Sequence, residues 1–331
     1  MANFTRRDVL MAGGAVAASW ALQATACTSA SPPAAPLAID QASRANRKRA
    51  LRLAHITDVH VQPEKGAGQG FAKCLQHLQS LADPPQLILQ GGDAVMDSCG
   101  VEQPRAKTQA NLWKSVLKAE CSIPIEHCIG NHDIWGLEKK ASLTTGAEPN
   151  WGKKWALELY GLNNRYRTFD RNGWRFIVLD SVTIGNDTYV GKLDEEQLAW
   201  LGRTLEATDK KMPVLVLSHI PILAASVFFD GDLEKSGKWV VPAAWMHIDA
   251  RAIKNLFVKH PNVKVCLSGH LHLVDRVDYL GVTYLCNGAV SANWWKGKHQ
   301  EFREGYGVVD LFDDGSFEHQ YVEYDWTARE T

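Results

Sequence analysis

Five short apolar runs in this sequence each end directly in polar residues, and this repeated arrangement limits the fold more than any other feature. The runs cover residues 51–57, 87–90, 125–129, 214–217 and 263–267, and each has the length and composition of a buried strand. The polar residues that follow them are, in chain order, Asp58 and His60, Asp93, Asn131 and His132, His219, and His270 and His272. One histidine at a strand end is usually structural, but five such ends together indicate a shared site.

Segments with helical periodicity separate these runs, at residues 71–81, 109–118, 194–205 and 250–257. Alternating strands and helices predict an α/β fold in which the helices are crossover connections between strands. Ligands of such folds bind outside the carboxyl ends of the strands. We therefore expect the five polar ends to meet in one crevice.

The polar residues supply carboxylate, imidazole and amide oxygen groups, the mixed donors that first-row divalent metal ions accept. In Asp58-x-His60 and His270-x-His272 the polar residues lie two apart, so on an extended backbone each pair would project to one side and reach a common point. Glycines that permit sharp turns and a close approach of the backbone to a ligand stand beside them at Gly91, Gly92, Gly130 and Gly269.

In order and approximate spacing, these residues resemble the five sequence blocks of the calcineurin-like metallophosphoesterases. The blocks are Asp58-x-His60, Gly91-Gly92-Asp93, Gly130-Asn131-His132-Asp133, His219 and Gly269-His270-x-His272. The resemblance covers residues 51–312 or so. It implies a four-layer α/β/β/α sandwich with metals at the carboxyl ends of the strands.

The resemblance also implies two divalent metal ions, and the donor types leave Mn, Fe, Zn, Ni and Co open as their identity. Asp93 would bridge the two ions, and His132 would lie beside the leaving group without binding metal. The first ion would be held by Asp58, His60 and His272, and the second by Asn131, His219 and His270.

By the same resemblance, the chain is expected to hydrolyse phosphoester bonds. A hydroxide bridging the metal ions would attack phosphorus in line, and His132 would assist the leaving group. Asp97 and Asp133 are candidates for orienting its imidazole, the alternative being that each is a surface or helix-capping acid. A phosphodiester is expected ahead of a phosphomonoester, because the compact blocks resemble those of the small bacterial cyclic-nucleotide phosphodiesterases. In addition, no arginine in the matched blocks offers a clamp for a terminal phosphate. The alternatives are a phosphomonoesterase and a non-catalytic metal-binding surface lipoprotein, which would not need His132.

Two tryptophan-rich segments are candidates for substrate contacts. Trp294, Trp295 and Lys296 follow a predicted hairpin that leaves His272, so the tryptophans are expected to wall the site and the lysine to lie near phosphate. The alternative is that one of the two adjacent tryptophans packs inward. An aromatic insert after His219, from Phe228 to Trp245, is expected to form a lid or a partner surface.

The amino terminus predicts export. Arg6-Arg7 before a weakly apolar run resembles a twin-arginine signal, so residues 1–26 are expected to be a signal peptide that uses the Tat translocon. Residues 27–50 are expected to be a tether and residues 51–331 the metallophosphoesterase domain. Cys27 is either a lipidated first residue, the only expected membrane attachment, or the residue after ordinary cleavage.

A periplasmic or cell-surface location favours extracytoplasmic nucleotides, phospholipid head groups or cell-envelope phosphodiesters as substrates over intracellular cyclic nucleotides.

The charge balance argues against nucleic acid as a partner. With 36 Lys and Arg against 37 Asp and Glu in 331 residues, the chain lacks the basic excess with which nucleic-acid-binding proteins contact phosphates.

Overall fold

The computed structural model describes residues 47–185 and 188–328. The predicted signal peptide, Cys27 and most of the predicted tether lie outside these residues. None of the helices described is both long and apolar enough to cross a membrane.

The described residues form two large sheets, two small hairpins and flanking helices. The strands are, in chain order, β1 (Arg49–Ile56), β2 (Leu87–Gln90), β3 (Ile125–His127), β4 (Arg167–Arg171), β5 (Trp174–Val178), β6 (Val182–Ile184), β7 (Tyr189–Gly191), β8 (Val214–Leu217), β9 (Glu234–Lys235), β10 (Lys238–Trp239), β11 (Val263–Ser268), β12 (Val274–Tyr279), β13 (Val282–Asn287), β14 (Gly305–Phe312) and β15 (Phe317–Glu323). The helices are α1 (Ala67–Ser80), α2 (Gln103–Glu120), α3 (Lys139–Ser142), α4 (Lys153–Tyr160), α5 (Glu195–Glu206) and α6 (Ala250–Lys259), with a 3₁₀ turn at Ser226–Phe229.

The first large sheet has the strand order β15-β14-β1-β2-β3, and the second has the order β12-β13-β11-β8-β5-β4. Strands β1, β2 and β3 of the first sheet run parallel, as do β5, β8, β11 and β13 of the second. Antiparallel pairing adds β14 and then β15 to the first sheet, and β4 and β12 to the two edges of the second. The predicted hairpin after His272 corresponds to the antiparallel pair β12 and β13.

Apolar residues on both faces of the sheets create three packed interfaces. Leu53 and Leu89 of the first sheet pack with Leu215 and Leu267 of the second, so the two sheets face each other. The outer face of the first sheet packs against α1, α2 and α4, and the outer face of the second packs against α5 and α6. The fold is therefore the expected four-layer α/β/β/α sandwich.

The five polar segments follow β1, β2, β3, β8 and β11, all of which belong to the parallel parts of the two sheets. The four predicted helical segments correspond to α1, α2, α5 and α6. The largest difference is at α2, which begins at Gln103 with a proline in its first turn. Its first residues are mostly polar, so the apolar periodicity becomes visible only later in the helix.

The predicted boundary between tether and domain, at residue 51, falls after the first two residues of β1. β1 begins at Arg49, which pairs with Phe312 of β14, and the guanidinium of Arg47 lies 3.8 Å from the ring centroid of Phe312. Backbone pairing with β14 thus incorporates the basic residues that composition alone assigns to a linker.

Candidate metal centre

Three side chains that follow β1 and β11 form a first cluster of metal-binding groups. Nε2 of His60 lies 3.1 Å from Nε2 of His272. Oδ1 of Asp58 lies 3.3 Å from Nε2 of His272 and 3.8 Å from Nε2 of His60. All three residues are buried. Donor atoms at these separations surround a point from which each can contact one ion, since metal–nitrogen and metal–oxygen bonds are roughly 2.0–2.2 Å long.

Asn131, His219 and His270 form a second cluster, built from the segments after β3, β8 and β11. Nε2 of His219 lies 3.0 Å from Oδ1 of Asn131 and 3.2 Å from Nδ1 of His270. Asn131 and His219 are buried, whereas His270 is half-buried. The second cluster is therefore accessible from the side of His270.

Asp93 lies between the two clusters. Its Oδ2 is 3.7 Å from Nε2 of His60 and 3.3 Å from Nε2 of His219. Its Oδ1 accepts a hydrogen bond from the backbone N–H of His132 at 2.8 Å, which fixes the orientation of the carboxylate. One oxygen of Asp93 consequently faces both clusters, as a bridging ligand must.

The hydrogen bonds of two buried imidazoles show that a cation fits between these groups. Nδ1 of His219 lies 2.8 Å from the carbonyl oxygen of Gly91, and Nδ1 of His272 bonds to the carbonyl oxygen of Ala292. Because a carbonyl can only accept, each Nδ1 carries a hydrogen, and in the neutral imidazole, the form that binds metal, each Nε2 presents a lone pair. Those lone pairs face the amide oxygen of Asn131 and Oδ1 of Asp58, which has no hydrogen-bond partner among the described residues. Acceptors facing acceptors need a cation between them, so the donor set fits metal ions.

Burial and charge set the protonation of the cluster. Burial lowers the pKa of His60 to about 4 and that of His270 to about 3, so both imidazoles are neutral at neutral pH, the form that binds metal. At His219 burial also lowers the pKa, but the carboxylate of Asp93 outweighs burial and raises it to about 9. Burial alone would raise the pKa of Asp58 and Asp93, but the neighbouring histidines hold both below the usual range. The centre therefore attracts positive charge.

Five of these residues have left-handed backbone conformations, which the sequence pattern does not reveal. The φ angle is 53° at Asp58, 46° at His60, 53° at Asp93, 71° at His270 and 59° at His272. Such conformations are uncommon outside glycine and cost roughly 1–3 kcal/mol each. The expectation of an extended backbone is therefore wrong for both pairs, although Asp58 and His60 do reach a common point in the first cluster. The turns separate His270 from His272, which lie in different clusters.

The glycines beside the site allow these segments to approach one another. A Cβ atom on Gly130 would overlap Oδ1 of Asp93, and one on Gly269 would overlap Oδ2 of Asp58. Gly92 has a φ of 102° and contacts the ring of His219. Close approach to the ligand residues, as well as sharp turning, thus explains why glycine stands at these positions.

His132 lies at the edge of the first cluster. Its half-buried ring packs edge-to-face on the ring of His60, with centroids 4.8 Å apart. Its Nδ1 is buried without a hydrogen-bond partner among the residues the structure describes. The imidazole is therefore positioned by packing and by its own backbone bond to Asp93.

The prediction that Asp97 or Asp133 orients His132 is wrong. Asp133 is buried and accepts hydrogen bonds from three backbone N–H groups, those of Asp93, Ala94 and Gly130, and from the hydroxyl of Tyr160. Asp97 accepts from the N–H groups of two residues that follow it, Cys99 and Gly100. Both carboxylates stabilise loop backbone. Burial and the charge of Asp93 raise the pKa of Asp133 to about 6.

A family model described as calcineurin-like phosphoesterase matches residues 51–274 of the chain, more than half of its length. The chain belongs to the calcineurin-like phosphoesterase family. It is accordingly a hydrolase of phosphoester bonds, from a family that depends on two metal ions. The match ends two residues after His272, and so includes every residue of both clusters.

Curated relatives and solved structures agree with this family. A 3′,5′-cyclic-nucleotide phosphodiesterase of Nostoc is 25% identical over 285 residues, covering 82% of this chain and 92% of the relative. The 3′,5′-cyclic adenosine monophosphate phosphodiesterase CpdA of Escherichia coli K12 is 29% identical over 241 residues, covering 70% and 73%. A dimetal phosphatase of Danio rerio has the same fold, with a TM-score of 0.54 and 16% identity over 80% of this chain and 93% of the other.

The predicted substrate residues of this phosphoesterase separate into one that faces the centre and two that do not. The half-buried ring of Trp294 lies 4.5 Å from the ring of His272 and 5.9 Å from that of His60, measured between centroids. Trp295 is 0% exposed, and its indole N–H donates to the carbonyl of His60 at 3.0 Å. The prediction that Trp295 walls the pocket is therefore wrong, because its ring packs inward against α1. Lys296 is exposed, and no contact within residues 47–185 and 188–328 places it at the centre.

Replacing Trp295 by alanine should therefore destabilise the fold, whereas Trp294→Ala should not. Removing a fully buried tryptophan costs about 3–5 kcal/mol in the free energy of unfolding, and the loss of its bond to His60 should also disturb the first cluster. Urea unfolding in the presence of a chelator measures the effect without a contribution from bound metal. A larger loss of stability in Trp294→Ala would contradict the packing.

Sequence reasoning missed two aromatic residues beside the centre. Tyr189, on the β6–β7 hairpin, lies with its ring 6.3 Å from that of His270. His299 lies with its ring 5.8 Å from those of both His272 and Trp294. Neither follows a buried strand of the repeated pattern, so only the fold brings them to the site.

Proposed function

We propose that this calcineurin-like phosphoesterase hydrolyses phosphodiesters with the help of two divalent metal ions. The observation that carries the proposal is the position of Asp93, whose Oδ2 faces both His60 and His219 from within a buried set of acceptors. A scaffold that binds one structural ion would not need an oxygen shared by two clusters.

In this proposal, each cluster would hold one ion, and Asp93 would serve as a ligand in both. The residues of the first cluster are Asp58, His60 and His272, and those of the second are Asn131, His219 and His270. Bound metal ions of this kind neutralise phosphate oxygens and make water a stronger nucleophile. No side chain of the chain then needs to form a covalent intermediate.

The chain's own groups hold these ligands and manage the leaving group. The carbonyl groups of Gly91 and Ala292 fix the orientation of His219 and His272. His132 stands beside His60 with its Nδ1 unpaired among described residues, so its imidazole is free to give a proton to the departing oxygen. Trp294 packs beside the ring of His272 and limits the space on that side.

The preference for a diester is supported by the names of the relatives. The Nostoc and Escherichia coli proteins are named as cyclic-nucleotide phosphodiesterases. Cyclic nucleotides are therefore a substrate class to test beside other diesters. The matched sequence blocks contain no arginine to hold a terminal phosphate dianion.

A panel of matched esters tests this preference. We expect bis(p-nitrophenyl) phosphate to be hydrolysed with a higher kcat/KM than p-nitrophenyl phosphate, since both release the same alcohol and differ in the number of ester bonds. 3′,5′-cyclic adenosine monophosphate forms the third member of the panel. A higher kcat/KM for the monoester would favour the phosphomonoesterase alternative, and no turnover of any ester by metal-loaded protein would favour the non-catalytic one.

We also propose that the chain is exported through the twin-arginine pathway, on the basis of Arg6-Arg7 and the weakly apolar run that follows. Replacing both arginines by lysine should retain the protein in the cytoplasm, as measured by cell fractionation. Unchanged export of that variant would contradict the proposal. Labelling with a radioactive fatty acid, with Cys27→Ala as the control, separates a lipid-anchored product from a free one.

A further inference from the structure

The aromatic insert after His219 forms an open pocket of about 570 Å³ together with the loop that follows Trp294. We call this cavity the insert pocket. Its aromatic walls are Phe228, Phe229 and Trp239, and the rings of Phe228 and Trp239 meet at 72° with centroids 5.4 Å apart. Phe229 is 68% exposed and Trp239 is 57% exposed. Large aromatic faces so open to solvent are unusual in a folded chain and suit a ligand.

The same pocket is lined by carboxylates and by no lysine or arginine. Its acidic residues are Asp232, Glu234 and Glu301. Within the described residues, none of these three carboxylates forms an ion pair with a basic side chain. Glu234 accepts a hydrogen bond from the backbone N–H of Gly237, which leaves its charge unneutralised, so the negative charge of all three is available to a bound group.

The β9–β10 hairpin explains why an acidic residue lines the pocket and the neighbouring lysines do not. Glu234 pairs with Trp239 across the hairpin, and Lys235 pairs with Lys238. Cross-strand partners share a face and successive pairs alternate between faces. The acidic and aromatic pair therefore faces the pocket, and the two lysines face away from it.

The insert pocket adjoins the metal centre. Gln300 lines it and donates a hydrogen bond to the carbonyl of Phe229 at 3.1 Å. The preceding residue, His299, lies with its ring 5.8 Å from the ring of His272, and its Nε2 is 3.8 Å from the carboxylate of Asp230 in the insert. One side chain therefore separates the pocket from a predicted metal ligand.

From this arrangement we propose that the insert pocket binds an alkylammonium group carried by one alcohol of the phosphodiester substrate. The inference rests on the proposed phosphodiesterase function and specifies its substrate. Aromatic faces attract a cation through the ring quadrupole, and unpaired carboxylates add to that attraction. The aromatic walls alone would also suit a nucleobase, but three carboxylates without a basic lining residue favour a positively charged group.

Two esters that differ by one charge test the proposal. p-Nitrophenyl phosphorylcholine and p-nitrophenyl 3,3-dimethylbutyl phosphate share the leaving group and the shape, but only the first carries a quaternary ammonium. We expect the wild-type chain to prefer the choline ester by about tenfold in kcat/KM, the order of effect of one cation held over aromatic rings. Choline should also inhibit hydrolysis of bis(p-nitrophenyl) phosphate more strongly than 3,3-dimethylbutanol does.

Substitutions locate the effect. The ratio of kcat/KM for the choline ester to kcat/KM for the dimethylbutyl ester should fall toward one in Trp239→Leu and in Glu301→Gln. It should persist in Tyr279→Leu, which removes an exposed aromatic residue elsewhere, and in Lys235→Gln, which changes a charge on the other face of the hairpin. Because the preference is a ratio of two kcat/KM values, a general loss of activity cancels from it.

The outcomes separate this inference from the proposed function. Equal kcat/KM values for the two esters, with bis(p-nitrophenyl) phosphate still hydrolysed, would overturn the alkylammonium pocket alone. Equal inhibition by choline and dimethylbutanol would overturn it without any variant. A preference for 3′,5′-cyclic adenosine monophosphate over the choline ester would instead assign the pocket to a nucleobase. Absence of all phosphodiester hydrolysis would overturn the proposed function itself.

A last pair of substrates shows whether the alkylammonium ester is a soluble molecule or a lipid head group. Soluble glycerophosphocholine and phosphatidylcholine vesicles carry the same alkylammonium ester in solution and on a lipid surface. Hydrolysis of the first alone supports the proposal with a soluble ester as substrate, and hydrolysis of the vesicles supports it with a lipid head group. Hydrolysis of neither would contradict the proposed substrate class.

Discussion

Asn131→Ala should remove one metal ion and nearly all phosphodiester hydrolysis. The amide oxygen of Asn131 lies 3.0 Å from Nε2 of His219, and alanine leaves the second cluster with only His219, His270 and the shared Asp93. A metal ion at a reacting phosphate contributes several kcal/mol of transition-state stabilisation. We therefore expect a roughly thousandfold or greater fall in kcat/KM for bis(p-nitrophenyl) phosphate.

Two variants control this experiment. Asn131→Asp keeps an oxygen donor at the same place and should retain more metal and more activity than Asn131→Ala. Asn255→Ala removes an exposed asparagine on α6 and should behave as wild type. If Asn131→Ala keeps both its metal and its turnover, Asn131 does not hold an ion in the second cluster.

His132→Ala should retain the metal ions but lose hydrolysis of esters with poor leaving groups. General acid assistance by a positioned histidine contributes about 10²–10⁴-fold, and a departing p-nitrophenolate needs little of it. The loss should therefore be much larger for diphenyl phosphate than for bis(p-nitrophenyl) phosphate. The comparison requires kcat values for both esters, measured with metal content determined on the same samples.

Equal losses for the two esters would contradict the acid role of His132. A loss of metal in His132→Ala would instead make His132 a ligand, which its place near His60 and Asp93 permits on geometry. His260→Ala, at the end of α6, provides a matched control in which a histidine remote from both clusters is removed.

The sequence predicted the part of the site that depends on strand order. Asp58, Asp93, Asn131, His219 and His270 each follow an apolar run closely, and parallel strands bring their carboxyl ends to one edge. The ligand types could be predicted for the same reason, because a polar residue immediately after a buried strand lies at this edge of the sheet. The assignment of each residue to one ion came from the family resemblance, and remains a prediction.

The sequence could not predict features that depend on packing between distant segments. Trp294 and Trp295 are adjacent and chemically identical, and only their contacts distinguish a residue beside His272 from one beneath His60. In the sequence, Asp133 is a candidate for orienting His132, yet its oxygens stabilise three backbone N–H groups from two segments. Left-handed backbone at residues such as His270 is likewise imposed by the fold, since histidine has no strong preference for it.

The number of metal ions bound by each chain tests the central claim most directly. We expect metal-loaded wild-type protein to contain two divalent ions per chain by elemental analysis. Chelation should remove both ions together with bis(p-nitrophenyl) phosphate hydrolysis, and readdition of metal should restore the two in parallel. Full hydrolysis by protein with no bound metal, or with a single ion per chain, would contradict a centre in which Asp93 joins two ions.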